Sequence, residues 1–564
     1  MLKSETRFLE LSELCERLEV TSSRISLVNL VADFLRKLQP FEVESAVRLI
    51  IGYALPNWDP RVLEVGFATL IEAIQKITGA THKEFLNALN QTGDVGASTK
   101  LLMEQMQLKR QSTLSQKPLT INNVTKAIEA IAEAIGPKSR VKKKRLIEAL
   151  LSQASPLEAK YLIKVLGGEM RHGFSEGLME EAIATAFSVD ATLVQRANLL
   201  ISDLGLVAKI ALNEGNAGLG KVKIILFHPI KPMLAEPVQN VDEIFKAHDG
   251  ASSLEYKPDG ARVQIHKCGE CVRVFSRRLT DVTESLPDIV DLVKQNLQAN
   301  EAIVEGEAIA VDNQGKPKPF QYLMRRFRRI KEIERTLKEV PVQLQLFDIM
   351  YLDGQQLIDL PYIERRRKLA EICGRIQLTK QVFTSNIKDA QKFFEEALAS
   401  GYEGLIAKEP NSLYTPGIRG KKWLKLKRVP DTLDLVVVAA DYGYGYRHAW
   451  LSDYYLAARN LETNEYEIVG KCFTGLTDDV IQWMTQQLNE IKLSQQGRTV
   501  TVVPRIVLEV AFTEIQRSPT YRSGYALRFA RIVRIRDDKA PQDVDTVQRI
   551  AEIFEHQFKI KSAN

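Results

Sequence analysis

Residues 252–267 read SSLEYKPDGARVQIHK. The run Ser252–Tyr256 has the composition of a buried strand, and it ends on a lysine, Lys257, followed by Pro258-Asp259-Gly260 and a second β-type run from Ala261. A lysine with a reference pKa of about 10.4 is almost wholly protonated at neutral pH. It becomes a nucleophile only when it is desolvated or set beside other cations. The strand end and the nearby Arg262 could supply both conditions. Pro-Asp-Gly is also ordinary turn chemistry, so the stretch alone equally allows a surface lysine beside a β-turn.

The surrounding chain has 564 residues, 45% hydrophobic and 26% charged. That length exceeds one ordinary core and predicts two to four domains. No run reaches about 18 uninterrupted apolar residues, and MLKSETRFLELSEL at the start lacks the charged, then apolar, then small-residue order of a signal sequence. The expectation is an intracellular protein, cytoplasmic or nucleoid-associated, with no membrane partner. Five cysteines, Cys15, Cys268, Cys271, Cys373 and Cys472, suit reduced thiols better than a disulfide framework. Net charge is only +6, so the arrangement of charge carries more information than its sum. KSRVKKKR (Lys138–Arg145) and MRRFRR (Met324–Arg329) are dense enough for contact with a phosphate backbone; each also reads as a solvated helix face.

Two composition changes divide the chain into three regions. Up to about residue 215 the pattern is helical. In SPLEAKYLIKVLGG, Ser155 is the expected N-cap, Pro156 the first helical residue and Glu158 the partner in a capping box. Leu157, Tyr161, Leu162, Val165 and Leu166 recur on one face before the Gly167-Gly168 stop. Past a boundary near residue 220, strand-like runs such as ARVQIHK, VRVFSRR, AIVEGEAIAVD and VQLQLFDIMYLDG alternate with helical pieces, giving an α+β pattern. After a second boundary near residue 430, strands separated by turns span a length near that of a small barrel.

The order of the motifs then decides between the two readings of Lys257. EYKPDGAR is followed by FSRRLTDVT, VEGEAIAVD, LQLFDIMYLDG, YEGLIAKEP, KKWLKLKR and LRFARIVRIRDDKAP. This series resembles the covalent nucleotidyltransferase superfamily of ATP-dependent DNA ligases, RNA ligases and mRNA capping enzymes. PIKPMLAEP and YLIKVLGGEMRHGF resemble more narrowly the archaeal and eukaryotic replicative type of ATP-dependent DNA ligase, so the likeness spans essentially the whole chain.

The resemblance implies a multidomain protein: an all-α DNA-binding domain over 1–220, an α+β adenylation domain over 221–429 and a β-barrel OB-fold domain over 430–564. It implies that Lys257 attacks the α-phosphate of ATP. Glu255 would contact adenine, Phe347 would stack on it, and Arg262 and Arg277 would lie near the ribose and phosphate. Glu307 and Glu403 would surround the ribose and a divalent metal, Mg2+ with Mn2+ as the alternative, which suits hard oxygen ligands shared with phosphates. Arg419, Lys425, Lys427 and Arg531 complete the nucleotide set. The alternation Leu424, Lys425, Leu426, Lys427 would put both ammonium groups on one face of a strand. By the same resemblance, the end of the chain around Arg531 closes over the site during the ATP step.

Other signals are weaker. CGEC at Cys268–Cys271 has no second ligand pair and falls in an expected hairpin turn. His172 in RHGF is expected at a helix junction, and GNAGLGK (Gly215–Lys221) lacks Walker-loop spacing. Where relatives carry paired aromatics for a sliding clamp, this chain has KRQSTLSQKPLT. Without those anchors the Gln111–Leu114 segment is a poor clamp contact, although another surface could serve. The expected partner is nicked duplex DNA, bound by a monomer through phosphate contacts. The competing functions are an RNA ligase or capping-type enzyme, and a non-catalytic DNA-binding protein.

Overall fold

The computed structural model describes residues 5–562 except 57, 110–117, 313, 319, 325, 327–335, 338, 418, 428–431, 445 and 446; side chains at 107–109, 320, 321, 419 and 556–562 are also outside the description. The Gln111–Leu114 segment therefore lies outside the described residues. The chain forms two compact units, Met1–Thr78 with Arg110–Arg428, and Gly79–Lys109 with Val429–Asn564. Each is described by itself. No helix among the described residues is long and apolar enough to cross a membrane.

From Phe8 to Gly220 the regular elements of the described residues are helices. The expected capping box is present: Ser155 accepts from the Glu158 N–H, Pro156 opens the helix Pro156–Gly167, and Gly168 ends it in the left-handed conformation at φ 71°. The expectation of one apolar face is corrected, because Glu158 through Leu166 are all buried. This helix is enclosed on all sides, and its charges are neutralised in place. Lys160 pairs with Glu16 at 2.6 Å and Glu19 at 2.7 Å, and Lys164 with Glu19 at 2.6 Å. His172 does sit at a helix junction, between Pro156–Gly167 and Glu176–Phe187. Its Nδ1 accepts from the Phe174 N–H at 3.2 Å, which leaves Nε2 to donate to the Ile50 carbonyl at 2.7 Å.

The two basic runs part ways. In Lys138–Arg145, Lys138, Arg140, Lys142 and Arg145 are exposed, while Lys143 is buried with Glu64 3.4 Å away. In Met324–Arg329, Arg326 is corrected from surface cation to structural pin: it is 0% exposed. Its guanidinium donates to both oxygens of Asp288 and to the carbonyls of Ser285 and Val340. Arg325 and 327–329 lie outside the described residues.

Two sheets follow in the first unit. One joins β1 (Leu234–Val238), β2 (Ser252–Lys257), β9 (Gln381–Thr384), β10 (Gly404–Lys408) and β11 (Arg419–Lys427) in the order β1-β11-β10-β2-β9. The other runs β4 (Cys271–Ser276), β3 (Ala261–Cys268), β5 (Glu301–Ala310), β6 (Val342–Leu352), β7 (Gln355–Gln356), with β8 (Gln377–Leu378) on β6. Strand periodicity sorts the side chains. Leu254, Tyr256, Leu405, Ala407, Leu424 and Leu426 pack against Ile244 and Phe393, residues of the helices Val241–Ala247 and Ile387–Ala399. Val263, Ile265, Val304, Leu344 and Leu346 pack against Ile289, Val293 and Leu369. The alternate residues, Glu255, Lys257, Lys408, Trp423, Lys425 and Lys427 on the first sheet and Arg262, Glu305, Glu307 and Phe347 on the second, take the opposite faces. CGEC closes the β3–β4 hairpin, with Cys268 opposite Cys271 and Gly269 at φ 55°.

In the second unit, β12 (Thr432–Tyr442) is the central strand of an antiparallel sheet. Its Thr432–Val436 half pairs with β17 (Val507–Ala511), and its Ala439–Asp441 half with β16 (Thr499–Val502). β13 (Leu451–Arg459) and β14 (Tyr466–Cys472) extend one side, β15 (Lys492–Gln496) pairs with β16, and β20 (Arg531–Ile535) with β17. β18 (Glu514–Arg517) and β19 (Tyr525–Arg528) form a separate pair.

Candidate active site

Lys257 is the last residue of β2, where the apolar strand gives way to the Pro258-Asp259-Gly260 turn. A Cβ on Gly260 would stand 2.4 Å from the Ala308 carbonyl and 2.8 Å from Cγ of Glu307, so only glycine lets this turn lie against β5. The lysine Nζ is 2.5 Å from Oε2 of Glu403, which also pairs with Lys427 Nζ at 2.7 Å. The Glu403 backbone N–H donates to the Lys257 carbonyl at 2.9 Å.

Burial pushes the Lys257 ammonium toward neutrality, but Glu403, Glu307 and Asp259 outweigh it and hold its pKa above the ordinary lysine value. This corrects the expectation that the apolar setting favours the free amine: the carboxylates that frame the lysine set its charge. The two glutamates differ. Burial opposes ionisation of Glu403, yet Lys257 and Lys427 bring its pKa down to about 2. Burial dominates at Glu307, with Glu403 and Asp259 adding repulsion, and its pKa rises to about 7.

The nucleotide-set residues on β11 have the expected alternation. Leu424 and Leu426 are in the core, whereas Lys427 is exposed and Lys425 half-buried on the opposite face. The Arg419 side chain is outside the described residues. Arg277 is exposed in the turn after β4. Arg531 is exposed at the start of β20 in the second unit.

Arg262 and Phe347 meet directly. The guanidinium lies 5.3 Å from the Phe347 ring centre and 5.7 Å from that of Trp423. It donates to the Met233 carbonyl at 2.7 Å and to Glu305 at 2.6 Å. Tyr414 donates to the same Glu305 oxygen at 2.8 Å. Arg262 Nε and Trp423 Nε1 are buried donors without a hydrogen-bond partner among the described residues, a condition that a polar ligand would relieve.

Glu255 is only 2% exposed. Its carboxylate accepts from Tyr362 Oη, from Thr379 Oγ1 at 3.2 Å and from Lys408 Nζ at 2.9 Å.

The comparisons with known proteins match this site to the rest of the chain. A family model described as "ATP dependent DNA ligase domain" matches residues 232–427, "DNA ligase N terminus" matches 7–184, and "ATP dependent DNA ligase C terminal region" matches 447–539. A DNA ligase of Thermococcus onnurineus is 43% identical over 561 residues, 99% of each chain. The chain belongs to the ATP-dependent DNA ligase family. DNA ligase 1 of Korarchaeum cryptofilum is 45% identical over 554 residues, 98% of each chain. The solved structure "Pmar-Lig_PreS3" shares the fold at a TM-score of 0.57, with 17% identity over 93% of this chain and 99% of that one. The enzyme is thus a phosphodiester-bond-forming ligase that uses ATP.

Sequence reasoning did not single out Lys408, Tyr362, Trp423, Glu305 or Tyr414 in this site. Lys408, Trp423 and Glu305 stood inside quoted motifs, where strand alternation could have put them on the same face as Glu255, Lys427 and Glu307 respectively. Tyr362 and Tyr414 come from a helix start and a loop, and no local pattern marks them.

Proposed function

We propose that Lys257 is the nucleophile through which this ATP-dependent DNA ligase seals nicks between a 5′-phosphate and a 3′-hydroxyl in duplex DNA. The observation that carries the reading is the cluster at the ends of the interior strands β2, β10 and β11: Lys257, Glu403 and Lys427 joined at 2.5 and 2.7 Å, with Glu307 in the field of the same lysine. The deprotonated amine attacks the α-phosphorus of ATP, the bond to the β-phosphate breaks, pyrophosphate leaves and the amine loses its second proton to solvent. AMP then passes to the 5′-phosphate of the nick. The 3′-hydroxyl attacks that phosphorus and AMP departs.

Glu255 and Phe347 serve adenine in this reading, Arg262 and Arg277 the ribose and phosphate side, and Lys425 and Lys427 the α-phosphate, where two cations on one strand face stabilise developing charge. Arg419 and Arg531 complete the nucleotide contacts. Glu307 and Glu403 fit a divalent metal: Mg2+ is commonly held by one or two carboxylates together with substrate phosphates. Burial is the main cause that raises Glu307, with smaller repulsion from Glu403 and Asp259, and a bound cation would offset both. Magnesium, or manganese in its place, would neutralise phosphate charge there. The long β12, shared between two arms of the second unit's sheet, supports an OB-type barrel over 430–564, beside a helical DNA-binding domain over 1–220 and an adenylation domain over 221–429. A monomer on nicked duplex is the working form.

The test is incubation with α-labelled ATP and magnesium without DNA, with Lys257→Ala in parallel, followed by sealing assays on nicked duplex and on RNA ends. Label on the wild-type chain alone, with sealing of the DNA nick, is the expected result. An unlabelled, folded wild type would remove the covalent mechanism, and preferential joining of RNA ends would move the enzyme to the RNA-ligase reading.

A further inference from the structure

Lys408 is a fully enclosed cation of the site face, 1% exposed. It lies between three rings, with Nζ 4.7 Å from the centre of Phe347, 4.6 Å from Tyr362 and 4.4 Å from Trp423. Its ammonium donates to the Phe347 carbonyl at 3.1 Å and pairs with both oxygens of Glu255, at 3.1 and 2.9 Å. Burial presses its pKa below the ordinary lysine value, so the ion pair with Glu255 is what keeps this position compatible with a charge. Such a cation is too deep to meet phosphate, and its neighbours are the residues assigned above to the base rather than to the phosphates.

The carboxylate of Glu255 is held on every other side as well. Tyr362 Oη donates to Oε1 and in turn accepts from Gln381 Nε2 at 3.0 Å, while Gln381 also donates to Ser253 Oγ at 2.5 Å. Thr379 Oγ1 donates to Oε2 at 3.2 Å. A carboxylate offers about four acceptor sites. Three side-chain donors of this chain converge on it, and with the Lys408 ammonium counted once, as a donor shared between the two oxygens, about one acceptor site is left for a further donor.

We propose that Lys408, Tyr362 and Thr379 are positioning residues that fix Glu255 as an ionised acceptor for a single N–H, and so make the pocket select a 6-amino purine over a purine lacking that amine. This rests on the reading of Glu255 as an adenine contact. Lys408 acts through Glu255 and touches no reacting atom. Without it, the buried carboxylate has lost its counter-ion and the contact that ties its two oxygens in place, so its aim at the amine, and with it the preference for that amine, falls.

The experiment compares single-turnover self-adenylation by ATP with that by purine-riboside 5′-triphosphate, which lacks the 6-amino group, in wild type, Lys408→Met, Lys408→Arg and Tyr362→Phe. Folding is checked by circular dichroism. In wild type the amine is expected to favour ATP by about tenfold or more in kcat/KM, as for a hydrogen bond to a charged group. In Lys408→Met the ratio falls to within about threefold. In Tyr362→Phe it falls part of the way, and Lys408→Arg, which keeps the charge, restores most of it. If Lys408→Met does not fold, Tyr362→Phe decides alone. Equal losses for both nucleotides, with the ratio unchanged, would overturn the proposal and leave Lys408 a packing residue. A wild type that forms no adduct with ATP would instead sink the nucleophile assignment, so the two failures are distinguishable.

Discussion

Glu403 holds Lys257 twice, by a 2.5 Å pair between carboxylate and ammonium and by a 2.9 Å hydrogen bond from its backbone N–H to the lysine's own carbonyl. The first contact sets the charge of the amine and the second sets its position. β10 and β2 are adjacent antiparallel strands, with Gly404 opposite Lys257, so both contacts follow from one strand register.

The two effects separate in Glu403→Gln. With its nearest carboxylate gone, burial governs Lys257, and its pKa falls. The alkaline inflection of single-turnover adenylation should move to lower pH, while the rate at neutral pH drops by about 100-fold because one of the two carboxylates proposed to hold the metal is gone. An inflection that stays put would show that Glu403 does not control the amine.

Glu307 makes an opposite prediction for stability. Its folded pKa of about 7 lies above the ordinary value of 4.5, so its contribution is fully present below the unfolded pKa and is lost as pH rises toward 7. In metal-free buffer, Glu307→Gln should match wild type in denaturant unfolding near pH 4 and exceed it near pH 8, by about 1–3 kcal/mol. A constant difference across that window would contradict the assignment.

On β11, adjacent residues should fail in different ways. Leu426 is 2% exposed in the core, and Leu426→Ala should destabilise by about 2–4 kcal/mol. Lys427→Ala should leave unfolding nearly unchanged while slowing adenylation by about 100-fold. Chemical denaturation and single-turnover labelling on the same two variants check both halves.

Arg326 should behave as a structural residue despite its place in a basic run. Arg326 is buried while Asp288 keeps 35% of its side chain exposed, so water can take over the freed carboxylate and Arg326→Ala should cost about 1–3 kcal/mol, mainly through the Ser285 and Val340 carbonyls left without their donor. The slope of DNA affinity against salt should not change, because a buried guanidinium releases no phosphate counter-ion. A slope reduced by about one unit in Arg326→Ala would return this arginine to the DNA-contact reading.

Local signals in the sequence were reliable where the physics is local. The Ser155 capping box, the Lys257 strand end and the Leu424–Lys427 alternation each depend on residues within one turn or one strand. The sequence did not reveal what distant segments do to a charge. Arg326 reads as basic surface until Asp288, Ser285 and Val340 close around it, and Lys257 reads as desolvated until Glu403 and Glu307 arrive from other strands. Glu255 matched the family position for a base contact, yet its enclosure by Tyr362, Thr379 and Lys408 depends on segments more than a hundred residues away.

The alternation on β11 also makes this strand a proofreading device for folding. Slipping it by one residue against β10 would turn Leu424 and Leu426 toward the face that carries Lys257 and Glu255 and drive Lys425 and Lys427 into the apolar interior. No intermediate arrangement keeps half of each. A refolded population should therefore divide into fully competent molecules and inert ones, and the moles of AMP captured per mole of chain would count the correctly threaded fraction directly.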